Sequence, residues 1–280
     1  NVATPTPSPD ASMPEKARDV SASAPLRTTT RDDRSALQSK ATGTSNALTL
    51  RLPGVVTQKA LVALVESMGD AQWFTGKGRD VERVDILERA RVKVPQSGAH
   101  YEDALLSVSY QDGGAGDTFH VPLKIHGDGS LSDALEDPEF VRAMTRVMRD
   151  GARVGSVQGD AMPGQALPVD GAVKAMGVPQ SNVSIKVGDA VIFKAYRKPE
   201  AGVSIEREVT THLTEQRYQN TAQLLGTLTM ETDQGPMTIG MAFEQIKADG
   251  DGWKRTLEAL HANSAQLLDQ VALLGKRIGE

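Results

Sequence analysis

Two stretches of the chain repeat their apolar residues at helical spacing, and several others alternate apolar and polar residues as strands do. The first helix is predicted to begin after Thr57, a residue type that caps helices, and to end before Gly69. The second is predicted after Asp137, with Pro138 in the first-turn position that proline favours. The apolar faces consist of Leu61, Leu64, Val65 and Met68 in the first helix, and of Phe140, Val141, Met144, Val147 and Met148 in the second.

Strand-like alternation surrounds these two helices and predicts a first α+β unit over residues 47–152. The Gly- and Pro-rich passage that follows is expected to be a connector over residues 153–178. The strands of the first unit are predicted at 47–52, 81–92, 103–110 and 118–125.

A different order of elements begins after the connector. Two hairpins flank a helix at about 203–216, and further helices follow from Trp253 onward. The first hairpin turns at Gly188-Asp189, which predicts a tight two-residue turn. Hairpin, helix, hairpin, hinge and helix is the order in the small lobe of a protein-kinase-like fold, so residues 179–248 predict such a lobe, an antiparallel sheet with one helix, and residues 249–280 the beginning of a second, incomplete lobe. The hairpin strands are predicted at 183–187, 190–197, 222–230 and 237–246.

Composition narrows the classes of function. The chain has 31 Lys and Arg against 36 Asp and Glu, a net charge of −5, so no basic surplus points to nucleic acid or an anionic membrane as a partner. The absence of cysteine excludes disulfides, thiolate nucleophiles and Cys-ligated metals, and agrees with a cytoplasmic protein. Residues 1–46 are rich in Ala, Ser, Thr and Pro, and we expect a disordered tail or an interdomain linker because so little apolar surface does not offset the entropy of folding.

The candidate chemistry centres on Lys194, which lies in the otherwise apolar run 191–196. Alternation places it on the same face as Ile192 and Tyr196, where an ammonium group costs free energy unless it meets an anion. The next helix is predicted to pack through Ile205, Val209 and Leu213, and Glu208, at the inward-facing edge of that stripe, offers a carboxylate. A strand lysine paired with a helix glutamate holds the phosphates of ATP in kinase-like folds. A lysine that extends to water is the alternative, and the pattern alone favours neither.

Other polar groups are less specific. Residues 180–184 (Gln-Ser-Asn-Val-Ser) precede the lysine strand and have groups able to cap phosphate oxygens, although by themselves they are better explained as a polar beginning of a strand. Residues 126–128 (His-Gly-Asp) spell the start of a kinase catalytic loop but precede the predicted ATP lobe, so we expect a turn. The five histidines lack close metal-ligand spacing, and neither a metal site nor a catalytic base is predicted within the chain.

Several segments agree in order and spacing with one known family. Over residues 47–280 the chain resembles the maltokinase family, part of the wider aminoglycoside-phosphotransferase-like kinases. It departs from that family at Ser204-Ile205, where Asn-Pro is usual, and in the residue order of the hinge. The segments that carry the resemblance are 73–79 (Trp-Phe-Thr-Gly-Lys-Gly-Arg), 119–123, 134–140, 180–184 with Gly188-Asp189 and Lys194, Gly202-Val203 before Glu208, 250–253 (Gly-Asp-Gly-Trp) and 274–280.

The resemblance implies an N-terminal cap domain of the maltokinase type over 47–152, followed by an ATP-binding lobe. It assigns Lys194 to the phosphates of ATP and Glu208 to the role of its partner. A hinge at 243–246 then receives adenine through backbone groups. The remaining residues that it implies in ATP binding are Gln180, Ser181, Asn182 and Ser184 in a phosphate loop, and Glu244 and Ile246 in the hinge.

The activity implied by the resemblance is the ATP- and Mg²⁺-dependent conversion of maltose to maltose 1-phosphate, which feeds glycogen and α-glucan synthesis. Some members are fused behind a trehalose synthase, which would make residues 1–46 the linker between the two. The catalytic base and the metal ligands are expected beyond Glu280, so the chain alone is expected to be inactive. Two alternatives stay open: an amino-sugar kinase of the same fold, such as a glucosamine kinase, and a non-catalytic regulatory or scaffold domain.

Overall fold

The computed structural model describes residues 56–280, except 96, 178–181, 249, 251, 263–265 and 280. The predicted strand at 47–52, the predicted disorder of 1–46 and two phosphate-loop residues, Gln180 and Ser181, lie outside the described residues. The described helices are α1 Gln58–Ser67, α2 Pro138–Arg149, α3 Ile205–Glu215, α4 Gly252–His261 and α5 Gln266–Ile278. None of these helices is long and apolar enough to cross a membrane.

The strands form two antiparallel sheets. The first contains β1 Val81–Val92, β2 His100–Tyr110, β3 Asp117–His120, β4 Leu123–Ile125 and β5 Leu131–Asp133. The second contains β6 Arg153–Val154, β7 Val157–Ala161, β8 Val173–Ala175, β9 Val183–Val187, β10 Val191–Ala195, β11 Leu224–Thr232 and β12 Gly235–Glu244. This combination of antiparallel sheets with few helices confirms the predicted α+β class.

In the first sheet the strands follow the order β1-β2-β4-β5, and β3 also pairs with β2. The strand predicted at 118–125 is divided into β3 and β4 because Pro122 lies between them and has no N–H group to donate to a ladder. Helix α1 packs its buried residues Leu61, Leu64 and Val65 into the core of this sheet. Thr57 caps the helix as predicted, since its hydroxyl accepts a hydrogen bond from the Ala60 N–H at 3.2 Å.

The second sheet has the strand order β6-β7-β11-β12-β10-β9-β8. Its part β8-β9-β10-β12-β11, with α3 connecting β10 to β11, is the arrangement of a kinase small lobe. The stretch 153–178, expected as a connector, contributes β6, β7 and β8 to this sheet. The β9–β10 turn has three residues, 188–190, between the paired Val187 and Val191, instead of the predicted two.

Helix α2 covers one face of the second sheet. Its residues Phe140 and Met144 share a hydrophobic core with Val191 and Phe193 of β10. The predicted cap is confirmed, since the Asp137 carboxylate accepts a hydrogen bond from the Glu139 N–H at 2.9 Å. Because successive residues of a strand point to opposite faces, this packing turns the alternate residues of β10, including Lys194, to the face on which α3 lies.

Helix α3 begins after Ser204, whose hydroxyl is its N-cap. The apolar stripe predicted for this helix is wrong, because Ile205 is 79% exposed and Val209 is 49% exposed. The helix meets the sheet through polar groups instead: the Arg207 guanidinium donates to the Thr229 hydroxyl at 2.8 Å. The orientation of α3 about its own axis therefore differs from the one that the sequence suggests.

Candidate nucleotide-binding site

The site is built on Lys194, in the middle of β10. Its ammonium group donates to both carboxylate oxygens of Glu206 on α3, at 2.7 and 2.8 Å. The predicted pairing with Glu208 is wrong, since Glu208 is exposed and lies two positions further along the helix. Two residues correspond to about 200° of rotation around an α-helix, so the two glutamates point in nearly opposite directions. The misplaced apolar stripe of α3 is the cause of the error.

Tyr196 completes the surroundings of this ion pair. It directly follows β10, and the ammonium nitrogen of Lys194 is 5.1 Å from the centroid of its ring, within the range of a cation–π interaction. Its hydroxyl group donates to the sulfur of Met241 at 3.3 Å. Burial, and after it the nearby Glu206 carboxylate, raises the pKa of Tyr196 far above its ordinary value. Tyr196 therefore remains uncharged, and its ring lies next to the Lys194 ammonium group, which the Glu206 carboxylate holds in place.

The pair remains open to a ligand. The side chain of Lys194 is 24% exposed and that of Glu206 is 40% exposed, so an incoming anion is able to reach the ammonium group. A partly exposed ion pair contributes only about 0–1 kcal/mol to folding. The pairing is therefore better explained by the position that it gives to Lys194 than by stability.

The phosphate-loop residues within the described part lie beside the lysine. Ser184 on β9 is the direct cross-strand neighbour of Lys194, and side chains of directly opposite residues share a face of the sheet. Asn182 immediately precedes β9. It therefore lies at the end of β9 that is nearest to Lys194.

The predicted hinge lies at the other end of β10. Glu244 ends β12 and is paired with Val191, three positions from Lys194, which corresponds to about 10 Å along the strands. The Glu244 N–H donates to the Gln223 carbonyl at 2.9 Å, whereas the Gln245 N–H donates to the Ala190 carbonyl at 2.8 Å. The peptide groups of neighbouring hinge residues thus face opposite directions. Ile246 is 58% exposed.

Sequence reasoning missed a second cluster, in which residues 73–79 meet the end of the lysine strand. The Lys198 ammonium group donates to the Asp117 carboxylate at 2.7 Å and to the Thr75 hydroxyl at 3.0 Å. The Tyr110 hydroxyl donates to the same carboxylate at 2.8 Å. A Cβ atom on Gly76 would lie 2.2 Å from the Tyr110 oxygen, so only glycine fits there. The motif therefore anchors the first sheet to the residues after β10, and no sequence spacing reveals this contact.

Residues 126–128, which spell the start of a kinase catalytic loop, form a turn in the structure. The His126 N–H donates to the Ser130 carbonyl at 2.9 Å, and the Asp128 carboxylate accepts from the Ser130 N–H at 2.9 Å, which confirms the predicted turn. Among the described residues, no three His, Asp or Glu side chains lie close enough together to hold a metal ion.

Comparisons with known proteins identify a similar domain and a similar fold. Residues 68–157 match the family model of the maltokinase N-terminal cap domain. A solved glucosamine kinase in complex with glucosamine, ADP and inorganic phosphate is similar to the chain at a TM-score of 0.51 and 15% identity, over 78% of this chain and 49% of that one. Another crystal form of glucosamine kinase gives a TM-score of 0.52 and 15% identity, over 79% of this chain and 48% of that one.

The chain spans about half the length of these solved structures, and at this level of identity the likeness establishes the fold. The strand order of the second sheet and the match to the cap domain agree with this fold. Residues 68–157 are thus similar to the maltokinase N-terminal cap domain, and the chain shares its fold with solved glucosamine kinases.

Proposed function

We propose that this chain is the ATP-binding part of a sugar kinase, and that the sugar is maltose. The observation that carries the proposal is the Lys194–Glu206 pair, which links the third strand of a kinase-type small lobe to its helix at 2.7 Å. In protein kinases a strand lysine held by a helix glutamate must be in place for phosphoryl transfer, because transfer depends on positioning and on stabilising negative charge.

In this proposal each part of the site has one task. Lys194 binds the α- and β-phosphates of ATP, and Glu206 holds its side chain in the required direction. Ser184, Asn182 and the other residues of the loop 180–184 surround the phosphates, and the backbone groups of the hinge receive adenine. The partly exposed Lys194–Glu206 pair and the hydroxyl group of the neighbouring Ser184 are suited to binding the phosphates of a nucleotide. We assign no Mg²⁺ ligand to the described residues, because they contain no metal-binding group.

Maltose is proposed as the acceptor because the family model that matches residues 68–157 is that of the maltokinase cap domain. The product would be maltose 1-phosphate, a precursor of α-glucan, and a trehalose synthase would be a suitable source of maltose, fused or associated. A glucosamine kinase is the second candidate, since solved glucosamine kinases share the fold at TM-scores above 0.5. A non-catalytic scaffold is the third, and it would not need the Lys194–Glu206 geometry.

The test is sugar-dependent release of ADP by the full-length protein with Mg²⁺ and ATP. We expect maltose to be the best acceptor in a panel that contains maltose, trehalose, glucose and glucosamine, and we expect ³¹P NMR to show an anomeric phosphate. Phosphorylation of glucosamine alone would replace the first candidate with the second. A protein that phosphorylates no sugar and binds no ATP would leave only the scaffold.

We further propose that residues 1–280 alone do not phosphorylate a sugar, because the chain covers about half of the solved kinases that it matches. The same assay on the 280-residue chain should show no ADP release above the rate without sugar. Release that depends on maltose would contradict this and would require a catalytic base within the chain.

A further inference from the structure

A histidine of the cap is buried against the end of the lysine strand. His120 is 3% exposed and lies at the end of β3. Its Nδ1 atom is 3.2 Å from the carbonyl oxygen of Tyr196, and its Nε2 atom is 2.5 Å from a carboxylate oxygen of Asp103. Asp103 is 1% exposed. The imidazole ring and its Asp103 partner are therefore both shielded from water.

The chemistry of the two partners determines where the protons lie. A carbonyl oxygen only accepts hydrogen bonds, so Nδ1 must carry a hydrogen and donate it to Tyr196. At 2.5 Å a second proton lies between Nε2 and Asp103, on one atom or the other. Asp103 thereby keeps the imidazole ring in one orientation, as an acceptor behind a histidine does in metal and catalytic sites.

The backbone joins the same two segments. The His120 N–H donates to the Arg197 carbonyl at 2.8 Å, and the Arg197 guanidinium donates to the His120 carbonyl at 3.3 Å and to the Asp133 carboxylate. Arg197 is itself 2% exposed. The cap thus binds the two residues that follow β10 through side chain and main chain alike.

These contacts begin two residues after Lys194. The Tyr196 N–H continues the pairing of β10 with β12, since it donates to the Ile239 carbonyl at 3.0 Å, and the Tyr196 ring lies 5.1 Å from the Lys194 ammonium nitrogen. Without the His120 donor the Tyr196 carbonyl would lose this hydrogen bond, and we expect the strand end to shift toward another donor. Any such shift moves both the ring and the strand that carries the ammonium group.

We propose that His120 is a positioning residue for the nucleotide: by holding the Tyr196 carbonyl it sets the place of Lys194, and this cap histidine therefore determines the affinity for ATP. The inference rests on the proposed role of Lys194. It extends the site to a residue that lies 74 positions before Lys194 in the chain, on a different sheet.

Two substitutions separate positioning from stability. In His120→Asn the amide nitrogen takes the place of Nδ1 and still donates to Tyr196, while Asp103 loses its partner. In His120→Gln the longer side chain reaches Asp103 and leaves the Tyr196 carbonyl without a donor. His100→Gln, at an exposed position at the start of β2, is the matched control for the same change elsewhere in the cap.

The readouts are the Kd for methylanthraniloyl-ATP, the KM for ATP and the thermal midpoint, all in the full-length protein. We expect His120→Gln to raise the Kd about 10-fold, because displacements of about 1 Å in such sites have effects of this order or larger. We expect His120→Asn to stay within about twofold of wild type although it loses more stability, since it leaves a buried carboxylate unpaired. If the His120 variants do not fold, Lys198→Met replaces them, because it weakens the contact between the cap and the residues after β10 at a half-exposed side chain. This variant should raise the Kd about threefold.

If His120 has only a structural role, the Kd should rise as the thermal midpoint falls, so His120→Asn should bind more weakly than His120→Gln. That outcome, or equal affinities for both variants, would overturn the inference. Lys194→Met in the same titration shows which of the two proposals is wrong. If it leaves the Kd unchanged, the proposed function is wrong. If it abolishes binding while His120→Gln does not weaken it, only the positioning role of His120 is wrong.

Discussion

Replacement of the charged pair at the centre of the site gives the sharpest test of the proposed function. Lys194→Met keeps about the length of the side chain and its apolar stem but removes the positive charge that the proposed function assigns to ATP binding. Glu206→Gln keeps the charge of Lys194 and removes the carboxylate that receives its two hydrogen bonds of 2.7 and 2.8 Å. Glu208→Gln makes the same chemical change two residues away, on an exposed side chain.

The magnitudes follow from what each variant removes. Lys194→Met should lower kcat/KM by about 10²-fold or more, about 3 kcal/mol, because the charge acts on phosphates in a cleft where electrostatic contacts are strong in the transition state. Glu206→Gln should lower it about 10-fold, about 1.4 kcal/mol, since Lys194 remains charged but is less well oriented. Glu208→Gln should change it less than about twofold, as expected for an exposed surface position.

The assay is sugar-dependent ADP release at limiting and at saturating ATP, with thermal unfolding as a parallel measurement. The side chains are partly exposed, so loss of the pair should change the free energy of unfolding by about 1 kcal/mol or less. The loss of activity should therefore exceed the loss of stability. A Lys194→Met enzyme with near wild-type activity would refute the assignment of this strand to ATP. Equal losses in the Glu206→Gln and Glu208→Gln variants would refute the pairing.

Two further outcomes are expected for the fold. Gly159→Ala should lower the free energy of unfolding by about 3 kcal/mol, because its Cβ would lie 2.2 Å from the Val147 carbonyl oxygen, whereas Gly127→Ala, with open space around it, should leave the thermal midpoint unchanged. Burial alone would raise the pKa of the Asp137 carboxyl, but hydrogen bonds, the one from Lys124 first among them, lower it below its ordinary value. The stabilisation by this carboxylate is then complete above a pH of about 4 and is lost as the pH falls through the lowered pKa. Between pH 5 and pH 2 the thermal midpoint of Asp137→Asn should therefore fall less steeply than that of wild type. Parallel curves for the two proteins would contradict this.

The local elements of this protein are largely determined by its sequence. Apolar spacing and the Asp137-Pro138 pair predict where α2 begins, and alternation predicts β1 from residue 81 to residue 92. The same alternation shows that Lys194 shares a face with Tyr196, which marks the strand as unusual. These features depend on neighbours in the chain, because backbone geometry, capping and periodicity act over a few residues.

The contacts that complete the site are decided by the tertiary structure. Whether Glu206 or Glu208 meets Lys194 depends on the rotation of α3 about its axis, which the sheet beneath it determines. The place of His120 against Tyr196 joins residues 76 positions apart, and β7 and β8, within 153–178, join the second sheet through β11 and β9, which come later in the chain. No local pattern records such pairings, because the free energy that favours them arises from groups that meet only once the two sheets and α2 have formed a common core.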